Sequence, residues 1–263
     1  MSAGTSNTIA KTIRRLRGKL RQRKPGSLLR CCGYSVRIND AANFHVLRKD
    51  IFMRHIYHFK AHRPEPLILD CGSNIGMSIL YFKRAYPKSR VIGFEPDPSI
   101  FPYLKENVEH ASLRDVKIIQ AAVAAQDGSL RFYSDGKYGS CLAATGGGEP
   151  PAGWKAYNVP SVRLRDYLTE TVDFLKMNIE GAEWDVLADS EDRLSQVREL
   201  VVEYHHLPGS PRTLHRILEL LHRCGFEYLI NDFDLETNPG SQPPFHLAPD
   251  SRYFLLIYGK RKD

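Results

Sequence analysis

Leu67-Ile-Leu-Asp-Cys-Gly-Ser-Asn-Ile-Gly-Met-Ser-Ile-Leu-Tyr-Phe82 reads as a strand, a glycine turn and a helix. Leu67 to Leu69 have the length and composition of a buried parallel strand, and the run stops at Asp70, where the turn begins. Gly72 and Gly76 flank Ser73, Asn74 and Ile75, after which Met77, Ile79, Leu80 and Phe82 resume at mostly helical spacing. Glycine lacks a Cβ and permits positive φ, and the next helix offers unpaired N–H groups, so such a turn lets a ligand approach the backbone. A second apolar run, Arg90 to Phe94, ends in Glu95. An acid about 20 residues after the glycine turn is where a ribose diol is gripped.

The details of the turn discriminate among ligands. A dinucleotide site would want G-x-G-x-x-G with pyrophosphate on the helix N-terminus. Here the pattern is Asp70-x-Gly72-x-x-x-Gly76. A carboxylate at its head would repel a pyrophosphate but could pair with the ammonium of an amino-acid moiety. These residues favour S-adenosylmethionine, with its ammonium and its ribose, over a dinucleotide; a structural glycine turn without a ligand is the bland alternative.

Asp70-Cys-Gly-Ser-Asn-Ile-Gly76, Phe94-Glu-Pro-Asp-Pro98, Leu104-Lys-Glu-Asn107 and Leu175-Lys-Met-Asn-Ile-Glu-Gly-Ala-Glu183 together resemble the FkbM family of S-adenosylmethionine-dependent methyltransferases, over roughly Phe44 to Tyr258. The resemblance implies a class I methyltransferase, an α/β Rossmann-like fold with a seven-stranded sheet, helices on both faces, a closing antiparallel hairpin and an N-terminal helical extension. It implies an S-adenosylmethionine site over Asp70, Gly72, Ser73, Asn74, Gly76, Glu95, Pro96, Ala122 and Asn178. The family usually carries Asp where this chain has Asn178, which removes one metal ligand and one base.

The 263-residue chain is long enough for one α/β domain with an extension. Its formal charge of +7 is unevenly placed: residues 1–30 hold nine Lys and Arg and no acid, so the body alone is slightly acidic and a nucleic-acid-binding body is disfavoured. The reading is a basic arm over 1–30 and a methyltransferase domain over 31–263. Ile9, Ile13, Leu16 and Leu20 place a narrow apolar stripe on a cationic helix, stopped by Lys24-Pro25-Gly26. Such an arm suits a solvated tail, an acidic partner or peripheral contact with an anionic membrane, and it also resembles an organelle transit peptide. No apolar run approaches the roughly 18 residues of a membrane span. Five cysteines without C-x-x-C pairing fit a reducing cytoplasm.

Gly33 to Ile38 alternates as an edge strand, and Phe44 to Phe59 recurs at helical spacing behind Asp40 or Asn43 as N-cap, giving an N-terminal segment over 33–62. In the family this segment packs over the cofactor, so Tyr57 is a candidate for reaching into the site toward the acceptor, with plain core packing as the other reading. Val116 to Val123 reads as one strand whose Ala121-Ala122 end leaves room for an adenine ring. Asp127-Gly128 signals a hairpin into Ser129–Tyr133. The glycine- and proline-rich stretch over about 135–158 reads as a lid or acceptor loop, with Lys137, Tyr138, Trp154 and Tyr157 as acceptor contacts, or as a plain surface loop. Val162 to Leu168 begins a short helix, and Phe226–Ile230 and Tyr253–Tyr258 form the closing hairpin.

Arg198 to Tyr204 adds a strand ending in His205-His206. In open parallel sheets ligands bind beyond the carboxyl ends of the strands, so Asp70, Glu95, Asn178, Glu203 and His205 should border one crevice. His206 follows with opposite parity, an acceptor contact or a bystander. A hydroxyl acceptor needs a base, and an imidazole suits neutral pH, which points to His205, with Glu180 or Glu203 orienting or replacing it. No ligand-like spacing implies a metal. The expected reaction is O-methylation of a hydroxyl or carboxyl on a small molecule, a saccharide or a polyketide-like product, by a monomer or a homodimer. A non-catalytic S-adenosylmethionine-binding protein and a nicotinamide oxidoreductase are the alternatives.

Overall fold

The computed structural model describes residues 23–137, 140–142, 152–207, 210–231 and 253–262. The cationic helix read over Ile9–Leu20 and the contact expected at Tyr138 lie outside these residues.

Seven strands build the main sheet: β3 (Leu67–Cys71), β4 (Arg90–Phe94), β5 (Val116–Ile119), β10 (Val172–Met177), β11 (Val197–His206), β12 (Phe226–Asn231) and β13 (Tyr253–Arg261), in the order β12-β13-β11-β10-β3-β4-β5. All neighbours from β11 to β5 are parallel. The last strand, β13, runs antiparallel to both β11 and β12 and lies between them. The expected antiparallel closing pair is therefore present, but its second strand is internal. This order is that of a class I methyltransferase, with α2 (Met77–Ala85), α3 (Phe101–His110), α4 (Glu183–Asp189) and α5 (Leu214–Arg223) as its helices.

The two-residue period of the central strands sends successive side chains to opposite layers. Ile68, Phe174 and Val201 join one core with Phe44, Ile51, Phe59 and Phe82, while Leu69, Leu175 and Val202 join the other with Val186, Leu187 and Leu220. Phe59 stacks on Phe174 at 4.4 Å between ring centroids, fixing the N-terminal segment to the sheet.

That segment begins earlier than its composition indicates. β1 (Leu28–Cys31) pairs antiparallel with β2 (Tyr34–Arg37), so a boundary at residue 30 would cut a strand, and the arm can extend no further than Ser27. α1 (Ala41–Leu47) starts at Asp40, whose side chain accepts the Asn43 N–H at 2.8 Å. It runs into a π-helical turn, Arg48–Met53, which buries Asp50, Ile51 and Phe52 in succession.

Four local expectations fail in whole or in part. The run Val116–Val123 is broken: the Ala121 N–H turns back onto the Ile119 carbonyl at 3.1 Å, and β6 (Ala122–Ala124) leaves the main sheet for a second one. Asp127-Gly128 does not close a simple hairpin, because β6 and β7 (Gly128–Ser134) are both paired to β9 (Lys155–Arg163), which lies between them. β8 (Ser140–Leu142) and the first residues of β9 make part of the stretch expected as a loop regular. Only Leu164–Tyr167 of the short helix forms, as a 3-10 turn after β9.

Candidate active site

A cleft opens at the carboxyl ends of β3, β4 and β10, roofed by α1 and the π turn. Of the residues expected there, Tyr57, Gly72, Ser73, Asn74, Glu95, Pro96, Ala122, Asn178 and Glu180 line it. Asp70, Gly76, Glu203, His205 and His206 do not.

The glycine turn owes its shape to its own chain. Gly72 has φ +87°, and a Cβ there would lie 1.9 Å from the Asn178 carbonyl oxygen, so its bareness admits the neighbouring loop rather than a ligand. The Gly72 and Ser73 N–H groups both donate to the Phe94 carbonyl, at 3.0 and 2.8 Å. Gly76 has φ +89° and starts α2 against Leu104.

Asp70 corrects the expectation of an ammonium clasp. It is fully buried, Ser78 Oγ donates to its Oδ2 at 2.5 Å, and Lys176 Nζ lies 3.2 Å from its Oδ1. Lys176, 2% exposed, also donates to the carbonyls of Cys71 (at 3.2 Å) and Gly72, and its ammonium sits 5.6 Å from the Tyr57 ring centroid. This lysine lines the cleft, and the sequence reading passed over it. The signal was available: a lysine inside a strand apolar on both faces must be buried, which requires a counter-charge.

Glu95 lines the cleft at the end of β4. Its Oε2 accepts the Asn74 N–H at 2.7 Å and its Oε1 the Asp97 N–H at 2.9 Å. Burial pushes its pKa up to about 7, against those two N–H donors, which favour the charged form. Ala121, Ala122, Val123, Ile100 and Phe132 supply an apolar part of the cleft lining. Asn43, Leu47 and Ile51 close the other side, and the sequence named α1 as cover without naming these residues.

Toward β11 the polar groups form two linked sets. Tyr57 donates its hydroxyl proton to Glu203 Oε1, and Asn178 Nδ2 donates to Glu203 Oε2 at 2.8 Å. Burial, reinforced by Glu203, raises the Tyr57 phenol well above its ordinary range, so it stays neutral. Asn178 Oδ1 is buried with no hydrogen-bond partner, a bare acceptor in a cleft-lining side chain. In the second set Glu183 Oε1 accepts the Gly181 N–H at 3.0 Å and lies 2.9 Å from His205 Nδ1, while His205 Nε2 is 3.8 Å from Glu180 Oε1. Burial alone would depress His205, but Glu180, Glu183 and Glu203 outweigh it and lift its pKa to about 9. The carboxylates thus favour the imidazolium form of His205, which lies beside Glu180 outside the cleft lining, an arrangement less suited to the base than the one expected. Glu180 and Glu183 reach it without sharing a helix turn: Glu180 has φ +57° in the loop, and α4 begins only at Glu183. His206 is buried away from the cleft, where burial, aided by Arg212, lowers its pKa. Among the described residues no three His, Cys, Asp or Glu side chains are grouped to hold a metal ion.

Sheet order and cleft together define a Rossmann-like methyltransferase. Residues 70–228 match the family described as the Methyltransferase FkbM domain, and the chain belongs to that family. It is 32% identical over 247 residues to "Methyltransferase 1" of Beauveria bassiana, covering 85% of this chain and 94% of that one. It is 28% identical to "31-O-demethyl-FK506 methyltransferase FkbM" of Streptomyces tacrolimicus, covering 74% and 86%, respectively. To "2-O-methyltransferase NoeI" of Sinorhizobium fredii it is also 28% identical, over 60% of this chain and 72% of that one.

Proposed function

We propose that the protein is an S-adenosylmethionine-dependent O-methyltransferase acting on a hydroxyl of a small molecule, a saccharide or a polyketide-like product. The observation that carries this reading is the pairing, in one cleft, of a partly desolvated carboxylate, Glu95, with an unpartnered acceptor, Asn178 Oδ1. Glu95 suits a ribose diol, the apolar lining at Ala121 and Ala122 suits an adenine, and Asn178 Oδ1 can accept from an ammonium in place of the sequestered Asp70. The names of two relatives, a 2-O- and a 31-O-methylating enzyme, support oxygen as the acceptor atom.

When bound, the methyl donor supplies an activated sulfonium leaving group. The chain must then hold the acceptor oxygen in line, exclude water and take up one proton. Glu180 is the carboxylate on the cleft wall nearest the second polar set, and it takes that proton. His205 and Glu183 are positioning residues. The imidazolium lies between the two glutamates, and Glu183 ties down the Gly181 N–H, so the left-handed turn through Glu180 and Gly181 is fixed from behind. Tyr57 and Glu203 hold the Asn178 amide through its nitrogen, leaving its oxygen without a partner.

Calorimetric titration with S-adenosylhomocysteine tests the donor site. Submicromolar to micromolar binding is expected, weakened about tenfold to a hundredfold in Glu95→Gln, which loses a charge-assisted pair of hydrogen bonds. Absence of binding by the wild-type chain would remove the reading.

A further inference from the structure

Six large apolar side chains are exposed among the described residues, and they fall in two places. Tyr228, Leu229 and Ile230 lie on edge strand β12, and Leu28, Val46 and Met53 lie in the N-terminal segment. The second group belongs to the element that walls the cleft. Asn43, Leu47 and Ile51 form the inner stripe of α1 and the π turn, while Ala42, Val46, Lys49 and Met53, spaced by four, three and four residues, form the outer one. Val46 is 54% and Met53 63% exposed. Exposed Arg48 flanks this stripe. Together with exposed Arg84 it lies close enough to Cys31 to pull against the rise in that thiol's pKa, so the helix adjoins β1, whose outer face carries Leu28 and Arg30.

The segment that carries this face is cationic. Residues 23–60 contain eight Lys and Arg against two acids, whereas residues 61–263 contain twenty-three against twenty-eight. Both acids are engaged, Asp40 in capping α1 and Asp50 in an ion pair with exposed Arg54. An acidic partner protein would match the cations but would leave the apolar stripe without a reason. A bilayer with anionic headgroups satisfies both, because modest apolar insertion and a basic patch each bind weakly alone and stably together.

We propose that the outer face of α1 and the π turn is an interfacial surface that docks on an anionic lipid bilayer, with Val46 and Met53 entering the headgroup boundary and Arg48 and Lys49 meeting lipid phosphates. The helix that walls the cleft would then lie against the membrane, and the enzyme would draw its acceptor from amphiphiles held there. The proposal goes beyond the donor-site reading and does not depend on it.

Flotation of the full chain with vesicles tests it. The chain should float with phosphatidylcholine vesicles containing phosphatidylglycerol, stay behind with phosphatidylcholine alone, and detach as salt is raised. Val46→Asp/Met53→Asp should lower partitioning about tenfold or more, and Lys49→Glu severalfold, with the thermal melt and S-adenosylhomocysteine binding unchanged. Equal recovery on neutral and anionic vesicles, no flotation at all, or variants that float like the wild type would each overturn it. The last outcome would place any membrane contact outside this face.

Discussion

Replacing Lys176 by methionine removes the only cation, among the described residues, in contact with a carboxylate that has no access to water. Asp70 is 0% and Lys176 2% exposed, and the two lie 3.2 Å apart. At that separation and an effective dielectric of 20, the attraction is about 5 kcal/mol. The substitution keeps the apolar stem but strands a buried charge and two carbonyls, those of Cys71 and Gly72. The expected loss is about 3–5 kcal/mol, a large part of a domain's net stability. Asp70→Asn in the same chain should restore about 2 kcal/mol or more, since the amide retains an acceptor for Ser78 and carries no charge. Urea unfolding followed by far-UV circular dichroism, over the wild type, both single variants and the double variant, gives the coupling directly. A loss below about 1 kcal/mol in Lys176→Met, or additive effects of the two substitutions, would refute the claim that Asp70 is held by this ion pair.

Glu95 titrates near 7, above an ordinary carboxyl, so below that pH it is protonated and offers the ribose a weaker acceptor. S-Adenosylhomocysteine affinity should therefore rise between pH 6 and 8, approaching about tenfold per pH unit on the acid side, and Glu95→Gln should flatten the curve. His205 has the opposite linkage. Its pKa is raised from 6.5 to about 9, so its stabilising contribution is complete below 6.5 and lost as pH rises through 9. Wild-type stability should fall across that window by up to about 3 kcal/mol, and His205→Gln should lack the fall. Gly72→Ala forces a Cβ to within 1.9 Å of the Asn178 oxygen at a left-handed φ, and should cost about 3 kcal/mol or more in thermal or chemical unfolding.

What could be read in the sequence, and what could not, divides along the range of the interactions. β3, β4, β10 and β11 are apolar runs buried on both faces, and such runs announce themselves. Glu95 and Asn178 follow because polar residues at parallel strand ends border one crevice whatever the helices do. Asp70 sat in the same position and was misread, because the lysine that neutralises it arrives from a strand more than a hundred residues later, and pairing of β10 with β3 is not a local property. His205 failed for a similar reason. Its character depends on two glutamates converging through a left-handed turn at Glu180 that no propensity favours. The break after Ile119 rests on one backbone hydrogen bond between residues of ordinary β character, and the departure of β6 to the second sheet could be seen only once β9 was in place.

The internal position of β13 has a consequence for the order in which the molecule can be completed. Until Tyr253–Arg261 has been synthesised, β11 presents a bare edge on the side away from β10 and β12 lacks its sheet neighbour, since both pair with that late strand. On the ribosome the cleft side, from β5 to β11, can condense first, and the far side must wait. A chain cut short before Tyr253 would expose the unprotected margin of β11, buried in the finished sheet and carrying three valines, to any strand in reach.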